Sequence, residues 1–220
     1  GAECAALQGS LRWPEARLEI LRDSAALAPL GEVLGDADRL RILNPSLGAE
    51  MMKELRFEPN SEVELGIALE TCELSEARQV AFRMVSREDV RRELRATGGG
   101  ERLTELAREA VEASSGLGLL SLPDSAPRSL VAGGGDLQRV WLEATALGLA
   151  FQPVGVLTYM AGLLSSPGGS VYDPAERAHV STLYERLLNF FPGLSGRFPL
   201  LLFRLHRAPP ASARSGRLPL

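Results

Sequence analysis

The chain has 220 residues, 45% hydrophobic and 24% charged, with a formal net charge of −4. That balance belongs to a globular protein with a core of its own, and it excludes a disordered, collagen-like or disulfide-stapled chain. Two cysteines (Cys4, Cys72) and two histidines (His179, His206), with no CxxC or HxxxH spacing, predict neither a structural zinc site nor any other metal centre.

Residues 1–196 hold 19 basic and 28 acidic side chains, whereas residues 197–220 hold five arginines and no acid, so a cationic tail follows an acidic body. Every basic residue but Lys53 is arginine, a skew that carries no signal for nucleic acid. The chain opens on Gly-Ala with no signal-peptide pattern, which reads as a processed or trimmed cytoplasmic polypeptide. Residues 145–164 run uncharged over a membrane-spanning length, but Gln152-Pro153 and Gly148, Gly155 and Gly162 interrupt them. Proline removes a helix hydrogen bond that lipid cannot replace, so the stretch reads as a buried helix, a turn and a second buried segment, with no membrane partner.

In chain order, Glu3 to Ser10 has the look of a helix end, and Arg17-Leu-Glu-Ile-Leu21 alternates as a half-buried strand does. Asp23-Ser24 supplies capping chemistry for a helix over 25–43, whose Leu27, Leu30, Val33, Leu34, Ala37, Leu40 and Leu43 recur at three and four; Asn44-Pro45 ends it. A second helix runs over about 47–55. Residues 56–74 show neither helical period nor turn-bounded strands, with Pro59, Asn60 and Gly66 as breakers, and read as a long ordered excursion or covering arm.

Ser75 opens a helix to about Ala81, Ser86 with Asp89 opens another to Arg95, and Gly98-Gly99-Gly100 precedes a third from Glu101 to Ala113. The apolar run 116–122, bounded by Gly and Pro, predicts a strand buried on both faces. Gly133-Gly134-Gly135-Asp136 is read as the entry to a helix over 137–150. Asp173-Pro174-Ala175-Glu176 is an N-cap acid, a proline at the first helical position and a Glu at the third, predicting a helix to about Phe190. Residues 199–206 read as a final core strand, and residues 208–220, with three prolines, as an extended C-terminal arm. Many helices with at least three distant strands predict one α+β domain, a small central sheet surrounded by helices.

Few groups carry chemistry. The triple glycines at 98–100 and 133–135 lack both the Lys-Ser/Thr of a P-loop and the GxGxxG register, so turn and helix-entry roles outweigh a phosphate cradle. His179 and His206 have no nucleophile elbow near them in sequence, and Cys72 has no adjacent cation to lower its pKa. Paired acids such as Asp36 with Asp38 lie among arginines, the pattern of a solvated face. Two features stand out. Gln152-Pro153-Val154-Gly155 is delivered by a buried helix, and its glycine lets backbone approach a flat ligand; Arg214 and Arg217 offer guanidinium to a phosphate or a carboxylate.

Asp38-Arg39-Leu-Arg, Asn44-Pro45, Glu50-Met-Met-Lys-Glu-Leu-Arg56 and above all Leu137-Gln-Arg-Val-Trp-Leu-Glu-Ala-Thr-Ala-Leu-Gly-Leu-Ala-Phe-Gln-Pro153 together resemble the nitroreductase-like flavoprotein superfamily. The likeness extends from about residue 16 to the end, through the strand from Pro199 to Arg204 and the Arg-Ser-Gly-Arg-Leu-Pro tail. It is greatest to large bacterial members built as tandem halves, some fused to a ThiF-type adenylate-forming domain. The resemblance implies a nitroreductase-like α+β fold and FMN bound in a cleft between two subunits or halves, passing electrons from NAD(P)H to a small acceptor or oxidising a bound intermediate. It places Phe151, Gln152, Pro153, Val154 and Gly155 beside the flavin ring and Arg214 or Arg217 at its phosphate, and it assigns no acid or base residue. The family's N-terminal arginine-rich phosphate motif and Pro-Ser-x-x-Asn-x-Gln-Pro-Trp segment do not occur here. The chain thus resembles a C-terminal half, its site completed by an N-terminal half or a homodimer mate, with a ThiF-type adenylyltransferase as a further partner. The rival expectation is a flavin-free scaffold of the same fold serving dimerisation or partner binding, with residues 56–74 covering an empty cleft.

Overall fold

The computed structural model describes residues 1–57 and 66–209. The elements are α1 (Ala2–Gly9), β1 (Arg17–Leu21), α2 (Ser24–Leu43), α3 (Pro45–Glu54), β2 (Leu55–Arg56), β3 (Ile67–Ala68), α4 (Glu76–Val85), α5 (Glu88–Thr97), α6 (Glu105–Glu112), β4 (Gly116–Leu122), α7 (Pro127–Ala146), β5 (Ala150–Pro153), α8 (Val156–Leu164), α9 (Pro174–Phe190) and β6 (Phe198–His206). The class is α+β. The chain gathers into two compact units, one of Gly1–Asp38 with Arg102–Ala208, the other containing Arg39–Glu101.

The first unit is built on an antiparallel sheet in the order β1-β4-β6-β5. All seven residues of β4 are buried, because helices cover both faces and every second side chain enters a different core. Leu117 and Leu119 meet Leu30 and Val33 of α2, Leu157 of α8 and Leu183 and Leu187 of α9 on one face. Leu120 and Leu122 meet Leu7 of α1, Val140 and Ala144 of α7 and Phe203 of β6 on the other. Gly118 is required there: a Cβ would stand 2.3 Å from the Phe203 ring.

Asp136, fully buried in α7, ties the segment before β1 to this helix. Its oxygens accept the Arg12 and Trp13 backbone N–H groups at 2.9 and 3.0 Å and the Arg139 guanidinium at 3.0 Å. Capping follows the sequence at α9, where the Asp173 carboxylate accepts the Glu176 N–H and the Glu176 carboxylate accepts the Asp173 N–H.

The second unit joins α3, α4 and α5 with the short parallel pair β2–β3. Buried Asn44 caps α3, its Oδ1 accepting the Ser46 and Leu47 N–H groups. Buried Arg91 closes the C-terminus of α4 by donating Nη1 to the Val85 and Ser86 carbonyls, each at 2.7 Å.

Four sequence expectations change. The helix expected to begin at 137 begins at Pro127, so Gly133–Gly135 lie inside α7; Gly133 is demanded by packing, since a Cβ there would stand 2.5 Å from Leu122 Cδ2. Ser86 with Asp89 does not open α5, whose N-cap is Arg87; the Ser86 hydroxyl donates to the Arg83 carbonyl and the Asp89 carboxylate pairs with the Arg87 guanidinium. Residues 150–153, expected as helix end and loop, form strand β5, and residues 55–56, at the junction of the expected second helix and the excursion, form a short ladder with residues 67–68 inside it. The arm expected at 208–220, with Arg214 and Arg217, and the breakers Pro59 and Asn60 lie outside the described residues.

Candidate functional site

The segment singled out by sequence, Phe151 to Gly155, is the outer edge of the four-stranded sheet. It arises from a sharp exit: α7 ends at Ala146, Gly148 takes φ +69°, and the Leu149 N–H returns to the Ala144 carbonyl at 2.9 Å. A left-handed glycine just past a helix end reverses the chain at no Cβ cost, and β5 then runs antiparallel to β6.

Register decides which backbone groups face outward. Gln152 pairs with Arg204, and the Val154 N–H donates to the Leu202 carbonyl at 2.8 Å. In an antiparallel ladder the alternate residues Phe151 and Pro153 therefore turn their backbone groups away from β6. Proline is tolerated at 153 because its missing N–H falls on the unpaired side. The outward edge of β5 thus offers the Phe151 N–H as a donor and the Phe151 and Pro153 carbonyls as acceptors. Gly155 then caps α8, its carbonyl accepting the Tyr159 N–H and the Thr158 hydroxyl.

Side chains on the two sides of β5 are engaged. Phe151 stacks between Trp141 of α7, centroids 4.4 Å apart, and Phe203 of β6, 4.2 Å apart. The column fixes β5 rigidly and leaves Trp141 partly open to solvent. On the opposite face Arg204 donates Nε to Gln152 Oε1 and Nη1 to the Ala110 carbonyl at 3.0 Å. Burial lowers the pKa of this guanidinium from its ordinary value. His206, two residues along the same strand face, is half-buried, and its Nδ1 is a buried atom with no hydrogen-bond partner. Burial first, and the Arg204 charge second, push its pKa below the ordinary value, so the ring stands neutral at pH 7.

The structure therefore brings Phe151, Gln152, Pro153, Val154 and Gly155 together along one edge. Trp141, Arg204 and His206 belong to the same corner and were not singled out as site residues. Period-2 patterning places Arg204 and His206 on one strand face, but only the β5–β6 register brings them to Gln152.

The other candidates carry no site. Gly98 and Gly99 turn their carbonyls, not their amides, toward the Arg39 guanidinium at 2.6 to 3.0 Å, the opposite of a phosphate cradle. His179 is exposed on α9. Cys72 is exposed in a 3₁₀ turn, and desolvation raises its thiol pKa, away from a reactive thiolate. Among the described residues no helix is long and apolar enough to cross a membrane.

No family model matches the sequence. The chain is 31% identical over 203 residues, 92% of its length, to a Mycobacterium tuberculosis (strain CDC 1551 / Oshkosh) protein named only as uncharacterized protein MT1398. The matched region is 28% of that relative's length.

Proposed function

We propose that this chain is the C-terminal half of an FMN-dependent oxidoreductase of nitroreductase type. One observation carries the reading: the segment most like that superfamily folds into a helix, a glycine exit and an edge strand whose outward groups are unpaired by the sheet. A flavin ring edge carries carbonyl oxygens and ring nitrogens that accept and donate hydrogen bonds, and the Phe151 N–H with the Phe151 and Pro153 carbonyls is a donor and acceptor set of that kind. The Trp141–Phe151–Phe203 column holds this set rigid, as a site that positions a cofactor requires. Flavin, when bound, supplies the redox chemistry, taking electrons from NAD(P)H and passing them to a small organic acceptor or oxidising a bound intermediate. This chain's part is to bind and orient: Val154 and Gly155 bring backbone close to the ring, and Arg214 or Arg217 neutralises the phosphate. The pocket is completed by an N-terminal half or a homodimer mate, and the dependence on NAD(P)H places the protein in the cytoplasm. The mycobacterial relative extends beyond the matched region, and a ThiF-type adenylyltransferase domain is the further partner this reading expects.

A second reading, a flavin-free scaffold of the same fold, is favoured by the polar side chain of the edge being already engaged: Gln152 Oε1 accepts from Arg204.

FMN titration by flavin fluorescence quenching separates the two. It is run on this chain, on an Arg214→Ala/Arg217→Ala variant, and on the chain joined to the remainder of its polypeptide. The oxidoreductase reading expects quenching, strongest with the remainder present, and weakening of about tenfold or more in the double variant, the scale of a charge-assisted pair. Absence of quenching in every form leaves the scaffold.

A further inference from the structure

The second unit has a cavity of about 270 Å³ where the end of α2, the start of α3 and one face of α5 meet. Leu43, the last residue of α2, and Pro45, the first of α3, give it an apolar wall. Glu88, Arg91, Arg92 and Arg95 of α5 line the rest, at i, i+3, i+4 and i+7, the spacing that puts side chains on one face of a helix. Three guanidiniums and one carboxylate make this lining cationic in a chain whose net charge is −4.

Arg91 is held as a binding group would be. It is 5% exposed, and its Nη1 donates to the Val85 and Ser86 carbonyls, each at 2.7 Å. Those two bonds use both hydrogens of Nη1 and fix the plane of the guanidinium. Among the described residues, Nε and Nη2 donate to no protein group and no carboxylate pairs with Arg91. The Nε–Nη2 edge is a fork that can grip a carboxylate or phosphate in two parallel hydrogen bonds. A buried charge without a counter-charge is costly, and the negative C-terminal end of α4 offsets only part of it. Arg92, exposed on the same face, makes no ion pair among the described residues either, not even with Glu88 four residues before it.

We infer that this cavity binds a small organic dianion, a phosphate monoester or a dicarboxylate. One oxyanion group sits on the Arg91 fork, Arg92 supplies the second positive charge, and the carbon part lies against Leu43 and Pro45. The volume suits a ligand of few heavy atoms, since clefts for drug-sized molecules start at about 300 Å³. The site lies within the second unit, apart from the residues assigned to flavin, and requires no flavin.

The test is an NMR titration of the backbone amides of the chain, in phosphate-free buffer of low ionic strength, with phenyl phosphate, succinate and acetate. At least one of the two dianions is expected to give saturable shifts over residues 88–96 and to bind about tenfold or more tighter than acetate, the scale of one further charge-assisted pair. Tighter binding of phenyl phosphate identifies a phosphate monoester, and tighter binding of succinate a dicarboxylate. Arg92→Gln folds, since the side chain is exposed and bound to nothing, and is expected to weaken the dianion about tenfold. Arg91→Lys keeps a charge and a donor for the α4 carbonyls but lacks the fork, and is expected to weaken it by about as much. Glu88→Gln removes the one acid of the lining and is expected to tighten binding about threefold. Arg128→Gln, the same change of charge on α7, leaves it unchanged. Absence of saturable shifts with both dianions overturns the inference. So does acetate binding as tightly as the dianions, or dianion binding that Arg92→Gln weakens no more than Arg128→Gln does.

Discussion

Strands β4 and β5 belong to one sheet and teach opposite lessons. β4 is central, buried at every residue, and written in leucine and glycine, so its place is readable from composition alone. β5 is an edge of four residues with Gln152 and Pro153 exposed, and its conformation comes from Gly148 before it and β6 beside it. A strand buried on both faces is specified by its own side chains; an edge strand is specified by its neighbour. Chemistry is available at the second kind, where backbone groups are left unpaired by the sheet.

The largest effect that would break this contrast lies in β4. Leu120→Ala is expected to destabilise by about 3 to 4 kcal/mol through the cavity left between α7 and the sheet, measured by urea unfolding; a loss below about 1 kcal/mol would mean that the core collapses around it. Next, Asp136→Ala leaves the Arg12 and Trp13 N–H groups without their acceptor and is expected to cost about 2 to 3 kcal/mol, with hydrogen exchange at those two amides rising first. At the edge, Phe151→Ala removes the middle ring of a stack that is half open to solvent, and a loss of about 2 kcal/mol is expected, together with a red-shifted Trp emission as Trp141 gains water.

The smallest effect sharpens the comparison at His206. The folded chain holds its imidazole neutral to a lower pH than the unfolded chain, whose value is near 6.5. As pH falls through that value the unfolded state takes up protons that the folded state does not, so stability is complete above it and declines below. A His206→Leu variant is expected to flatten this acid slope in the thermal midpoint; an unchanged slope would assign it to other groups.

Much of the fold was legible where a residue acts on its immediate neighbours. The Asp173 capping box, the Asn44-Pro45 stop after α2, the three- and four-residue spacing of α2 and the continuous apolar run of β4 are local devices, and each forms as its sequence predicts. The misreading of Gly133–Gly135 shows the boundary. Glycine usually opens or closes a helix, but here Leu122, eleven residues earlier on β4, occupies the space where the Gly133 side chain would be. Asp136, taken with those glycines as a helix entry, is a mid-helix anchor because Arg12 and Trp13, more than 120 residues away in sequence, bring their amides to it.

The candidate site divides the same way. Sequence by itself picked out Gln152 to Gly155, because a buried helix delivers the segment and its glycine lets backbone approach a flat ligand, and the resemblance added Phe151. Only tertiary structure decided that this segment is an edge strand, that Phe151 is held between Trp141 and Phe203, and that Gln152 is bound to Arg204. The physical reason is range: caps, turns and periodicity act within a few residues, whereas register, ring stacking and the direction of an unpaired amide depend on partners that only the folded sheet brings together.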